Sequence, residues 1–194
     1  MKAKTLVALA ALAALLYGCG GGNGPYTLRL KPKQGDKHTF VVTTNSGGQN
    51  MTSEAVVECT KVEGDNVTLT TTANGITSTT VMDSTGKVVT SSVPSSATVG
   101  FPANPVKVGD TWEATTKMAG QDVHAKVKLA KVEGNAATLE TTIDGSLPNV
   151  KIVGPIVSVI EVDTGMTIST HVEMKVKPAG SPQEISVMSD TKRK

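Results

Sequence analysis

Two short phrases hold the residues best suited to chemistry, Asp83-Ser84-Thr85-Gly86 and Val162-Asp163-Thr164-Gly165. Two aspartates brought to about 3 Å of each other cannot both ionise, so they share a proton and can activate a water for hydrolysis. The other nucleophiles and ligands are scattered. Cys19 and Cys59 are the two cysteines, and His38, His124 and His171 the three histidines. No H-x-H, no H-E-x-x-H and no Cys/His pair at ligand spacing occurs, so neither a metal centre nor a cofactor is expected. G-x-S-x-G, the P-loop and G-x-G-x-x-G are equally absent. Gly64-Asp65-Asn66 and Asp163-Thr164-Gly165 carry too few carboxylates for a calcium loop.

The elements that must position these residues read as strands. Thr and Val dominate the chain after residue 25, and branching at Cβ favours a pleated strand over a helix. Turn signals recur at Gly35-Asp36, Gly47-Gly48, Gly64-Asp65, Asn74-Gly75, Gly109-Asp110 and Gly134-Asn135, with strand-length segments between them. The phrase KVEGDNVTLTTTANG at 61–75 returns as KVEGNAATLETTIDG at 131–145, identical at nine of fifteen positions. VMDSTGKVVTSS at 81–92 likewise pairs with EVDTGMTISTHV at 161–172. The expected fold is therefore all-β and antiparallel, an internally duplicated β-meander forming one barrel-like, half-barrel or sandwich domain over 26–188. Its pseudo-repeats, about 26–92 and 106–176, are joined by a Pro-rich crossing segment at 93–105. Residues 189–194, ending Lys192-Arg193-Lys194, read as a solvated basic tail.

Duplication serves as an internal alignment. Ala55, Val57 and Cys59 correspond to Ala125, Val127 and Leu129 on one strand face, which makes Cys59 a small buried hydrophobe and not a nucleophile. His124 falls on the opposite, charged face; His38 matches Trp112; His171 alternates outward. Gly64 and Gly134 read as turn residues, each followed by Asp or Asn in a primed hairpin whose positive φ angles suit them. By the same logic Asp83 and Asp163 cap hairpin turns in which Gly86 and Gly165 supply positive φ, with Ser84 as the extra residue of the first copy.

Resemblances add an address. Lys2 and Lys4 precede the apolar run Thr5 to Leu16, which at about 18 Å is too short to span a bilayer and reads as a signal peptide over 1–18. Leu16-Tyr17-Gly18-Cys19 resembles the lipobox of bacterial lipoproteins, which implies lipidation of Cys19. Residues 19–25, with Gly20 to Gly24, then form a flexible tether. Gly20 in place of Asp implies the outer membrane in a diderm cell. Tyr26-Thr27-Leu28-Arg29-Leu30, Gly35-Asp36, the stretch Phe101 to Trp112 containing PVKVGDTW, and the later Asp-Thr-Gly hairpin are similar to uncharacterised bacterial β-rich exported lipoproteins. That group implies no activity. Asp163-Thr164-Gly165 also resembles the signature of aspartic proteases, themselves duplicated β proteins, and implies an aspartic-type hydrolase as a remote alternative.

Composition narrows the function classes. Lys2 and Lys4 fall in the signal, leaving seventeen basic against seventeen acidic residues, so the mature chain is formally neutral. With only Tyr26, Phe40, Phe101 and Trp112 as mature aromatics, neither polyelectrolyte steering nor a stacking platform supports nucleic-acid binding. The expected function is a membrane-anchored envelope module, structural or protein-interacting and not an enzyme. The alternative is a carrier for an apolar ligand such as a lipid, for which Gly154 to Val162 and the methionines Met118, Met166, Met174 and Met188 offer an adaptable lining.

Overall fold

The computed structural model describes residues 24–93, 100–118, 121–144, 149–177 and 183–194. Cys19 and the signal segment lie outside these residues. Every regular element described is a strand: β1 Lys37–Ser46, β2 Gln49–Glu63, β3 Asn66–Ala73, β4 Ile76–Asp83, β5 Val88–Ser91, β6 Thr111–Met118, β7 Gln121–Glu133, β8 Ala136–Asp144, β9 Val150–Ile152, β10 Ile156–Glu161, β11 Thr167–Val176 and β12 Ile185–Arg193. All join one antiparallel sheet in the order β5-β4-β3-β2-β1-β12-β11-β10-β8-β7-β6, with β9 paired to β11 off this path. The sheet is not closed.

The duplication is visible in backbone detail. Each repeat opens on a Gly-Asp corner. Gly35 N donates to Cys59 O and Cys59 N to Asp36 O, both at 2.8 Å; Gly109 N donates to Leu129 O at 2.8 Å and Leu129 N to Asp110 O at 3.0 Å. Both long strands bulge one residue later, between Cys59 and Lys61 in β2 and between Leu129 and Lys131 in β7. Both return through two-residue turns in which Gly64 and Gly134 have φ +57°. Asp65 and Asn135 are not in the positive-φ region, so glycine alone carries that demand, as in a turn with Gly at its first central position.

Between the two meanders sits β12, hydrogen-bonded to β1 on one side and β11 on the other. This corrects the expectation of a solvated tail at 189–194. Residues Ser189 to Arg193 pair with Val41 to Thr44 and Phe40, and Lys194 N donates to Thr39 O at 2.9 Å. The physical reason is that two antiparallel meanders of the same direction leave β1 and β11 facing each other with the same polarity. A strand running the opposite way pairs antiparallel with both edges at once.

Because neighbouring strands alternate in direction, the Gly-Asp corners, the Gly64 and Gly134 turns, the Asp83 and Asp163 turns and Lys194 share one end of the sheet. We call it the base, and the end with Gly47-Gly48 and Asn74-Gly75 the mouth. Buried side chains form two clusters towards the base, the first drawing Met166 from the second repeat, and β7 stays buried towards the mouth at Val123 and Ala125. Cys59, Val67, Leu69, Met82 and Met166 form the first with Leu30; Val127, Leu129, Ala137, Leu139 and Ile160 form the second with Leu28, Val106 and Val132. Residues 26–33 thus run as a strap that places one leucine in each cluster. Burying both contributes about 3–6 kcal/mol. Phe101 packs against both clusters and joins them.

Candidate functional site

The strap lies between the two aspartate turns. Leu30 N donates to Ser84 O and the next amide, Lys31 N, to Thr164 O, each at 2.8 Å. Upstream, Tyr26 and Val106 form a two-way bridge with N to O distances of 2.6 and 2.9 Å. Arg29 then turns its guanidinium onto the carbonyls of Pro102 and Ala103, both at 2.5 Å, and of Leu28 at 2.7 Å. Phe101 N donates to Thr85 O at 2.6 Å, and Trp112 Nε1 to Gly100 O at 2.9 Å. The segment after residue 100 therefore links the base of the first repeat to β6.

The hydrogen bonds decide which residues of the two turns are equivalent. In the first, Asp83 N donates to Lys87 O (3.0 Å) and Gly86 N to Asp83 O (2.8 Å). In the second, Glu161 N donates to Met166 O (2.9 Å) and Gly165 N to Glu161 O (2.8 Å). Side chains repeat the correspondence: Thr85 Oγ1 donates to Asp83 Oδ1, and Thr164 Oγ1 to Glu161 Oε2, both at 2.6 Å. Asp83 is thus the counterpart of Glu161 and not of Asp163, and the extra residue belongs to the second copy. Asp163 is exposed, its own amide donating to Asn135 Oδ1 at 3.2 Å. The strap runs between the turns, so the base presents no symmetric aspartate pair. Gly86 and Gly165 have φ +79° and +67°.

Each turn carboxylate has its charge used locally. Burial pushes the Asp83 carboxyl up, but the Thr85 hydroxyl, the amides of Lys87 and Thr85 and the nearby Lys87 charge outweigh it and hold the group below the usual Asp range. Glu161 is held below the usual Glu range chiefly by the hydrogen bond from Arg193, at 2.5 Å, then by Thr164, against the opposing effect of burial. Arg193 is largely buried, and its Nη1 has no hydrogen-bond partner among the described atoms. The charged end of β12 is thereby a clamp between β12 and the second turn.

The remaining candidates fall apart in space. Cys59 is 1% exposed, and desolvation, then the Asp36 charge, raise its thiol above the ordinary range. That is an inert thiol. His38 pairs with Val57 as Trp112 pairs with Val127, on the core-bearing face. His124 is exposed on β7. His171 stands on the outer face, its Nδ1 2.7 Å from Asp190 Oδ1 and its Nε2 3.4 Å from Glu173 Oε1. The Asp190 hydrogen bond leads the effects that raise its pKa. Among the described residues no three His, Cys, Asp or Glu gather in a metal-binding group.

The mouth half of the core-bearing face is different in kind. Val42, Thr44, Ser158, Thr170, Val172 and Ser189 are all only half-buried, while Phe40 and Ile160, next towards the base on β1 and β10, are covered. Hydroxyl pairs cross this surface: Thr44 with Ser189 at 3.5 Å and Ser158 with Thr170 at 3.3 Å. Aliphatic positions lie between them, and Met51 and Ile76 at the rim are 59% and 72% exposed. The surface therefore offers apolar contact interleaved with hydrogen-bonding groups. Sequence patterning did not single it out, because Ser and Thr at inward positions look the same as solvated strand residues.

The sequence model of one family, described as a family of unknown function (DUF6263), matches residues 65–181. No curated protein and no solved structure matches the chain.

Proposed function

The chain belongs to that family, and we propose that it is a lipid-anchored cell-envelope protein that acts by binding and not by catalysis. Its ligand is apolar or amphiphilic, such as a lipid, and occupies the mouth half of the core-bearing sheet face. One observation carries this reading. The two core clusters lie towards the base, while the mouth half leaves aliphatic and hydroxyl side chains half-covered along β1, β12, β11 and β10. An acyl chain lying there would complete the burial that the protein leaves undone, and the paired hydroxyls would meet a polar group. Anchoring rests on Cys19, which follows the short apolar run and precedes the glycine tether. The turns support a non-catalytic role, since Asp83 and Glu161 are spent on capping and Asp163 has no equivalent across the strap.

Protein purified from its native membrane is extracted with organic solvent and the extract analysed by mass spectrometry, with intact-mass analysis of the N-terminal peptide. A stoichiometric lipid beyond the chains on Cys19 supports the reading. A ligand-free protein would sink it.

A second reading, a structural or protein-interaction module, is favoured by Met51 and Ile76, which crown the mouth and are exposed. A crosslinker placed at Ile76 separates the two. Recovery of one envelope protein without any bound lipid supports this second role.

A further inference from the structure

We infer that the free edge of β6 is a docking surface for a second copy of this chain, the two β6 strands pairing antiparallel about a two-fold axis at Thr115. The long path of the sheet ends on β5 and β6. Natural sheets blunt such ends with short strands, bulges, proline or inward charges. β5 is blunted: it has four residues and pairs with β4 through a register shift between Val81 and Met82. β6 is not. It runs for eight residues in unbroken register with β7 and contains no proline. Trp112 and Ala114 pack against the second cluster, and no charged residue alternates with them along the strand.

The duplication shows what this edge takes. Leu129 N donates to Asp110 O, so Asp110, Trp112 and Ala114 direct their amides and carbonyls at β7, while Thr111, Glu113, Thr115 and Lys117 turn theirs away. In the first repeat the equivalent edge is used: Thr39, at the place of Glu113, accepts Lys194 N at 2.9 Å as β12 pairs along β1. Among the described residues no strand does this for β6. Charge then selects the partner and its register. Across to β7, Glu113 lies opposite Lys126, Thr115 opposite His124 and Lys117 opposite Asp122. A two-fold axis at Thr115 sets Glu113 of each copy opposite Lys117 of the other, so charge alternates in sign all the way from Asp122 of one copy to Lys126 of the other. An axis at Glu113 would set acid against acid, and one at Ala114 would leave Glu113 and Lys117 facing threonines. In the Thr115 register the pairs 113 with 117 and 115 with 115 are also the ones whose amides and carbonyls point outwards, so hydrogen bonding and charge agree. Both core-bearing faces then lie on the same side of one continuous sheet.

The test uses the full chain in mild detergent. Analytical ultracentrifugation should give a dimer. Thr115→Cys should form a disulfide that peptide mapping places between position 115 of the two copies, because a hydrogen-bonded antiparallel pair holds its Cα atoms about 5.5 Å apart. Thr111→Cys, on the same edge but about 27 Å from its counterpart, should not link to itself. Glu113→Lys and Lys117→Glu should each weaken the dimer by about tenfold, and the two together should restore it. A monomer at every concentration overturns the docking, and slow amide exchange at Glu113 and Thr115 in that monomer would show the chain covering its own edge. A dimer indifferent to either charge reversal, one that the double variant does not recover, or one that crosslinks at 111 as readily as at 115 is built elsewhere, and overturns it as well.

Discussion

Gly165 is the most tightly confined of the described glycines, and replacing it tests the strap directly. A Cβ built there would overlap the Arg29 carbonyl, lie 2.8 Å from the Arg29 carbonyl carbon and 2.9 Å from Phe101 Cε2, at φ +67°. Gly134 offers the control: it has φ +57° and nothing within 4 Å of the added atom. Gly134→Ala should therefore cost only the backbone conformation, about 1–2 kcal/mol. Gly165→Ala carries that cost, adds about 1–3 kcal/mol of overpacking against strap backbone that cannot swing aside, and weakens the Lys31 to Thr164 hydrogen bond, worth about 1 kcal/mol. The total is about 3–6 kcal/mol, against a melting-temperature change of about 2–4 °C per kcal/mol for a chain of this length. Thermal melts followed by circular dichroism should show Gly165→Ala lowered roughly threefold more than Gly134→Ala. If the two variants melt together, the strap does not lie against this turn, and the clusters joined by Leu28 and Leu30 lose their basis.

Asp83→Ala should destabilise the protein at neutral pH by about 1–2 kcal/mol through three lost acceptor contacts. Because the folded pKa of Asp83 is depressed, the charge-linked part of its contribution is present above the ordinary Asp range and is lost as pH falls through the folded value. Denaturant melts of wild type and variant should therefore converge in acid, and a constant gap would refute the linkage. For His171 the sign is opposite: its raised pKa means a contribution complete below the ordinary His range and lost as pH rises through the folded value. Asp190→Asn should bring the imidazole titration, followed by NMR, back towards the ordinary position. Arg193→Met should release Glu161 and raise its titration point, while loosening the β12 end enough to increase hydrogen exchange at Lys194. The Cys59 thiol should react with an aromatic disulfide reagent only at the rate of unfolding, and rapid modification of the native protein would contradict its burial.

What sequence patterning made legible was the repeated unit. Thr and Val between glycine turns specify strands, and the doubled KVEG phrase marks the return of each long hairpin, so the all-β class follows from local chemistry. Three features needed coordinates. The alignment by letters placed Asp83 opposite Asp163, because D, T and G match; the backbone hydrogen bonds place Glu161 there, since a turn tolerates an inserted residue between fixed ends. Residues 189–194 looked solvated because three of the last residues are cationic. Yet inward Val187, Ser189 and Thr191 are small enough to sit between β1 and β11, and Arg193 meets Glu161. Finally Tyr26, Leu28, Leu30 and Pro32 alternate with polar residues, a signal available in the sequence, but nothing local says that such a segment crosses the ends of other strands instead of pairing with one.

The position of β12 sets the order in which the molecule can be finished. It follows the other described strands and supplies the seam of the sheet, so the strands of the two halves are not joined edge to edge until β12 is in place. Pairing β1 with β12 closes a loop of well over a hundred residues, an entropically slow step. A chain that has not yet paired β12 therefore stays unzipped along the centre line of its sheet. Shortening it at the C-terminus would leave two orphaned strand margins open to mispairing with a neighbour.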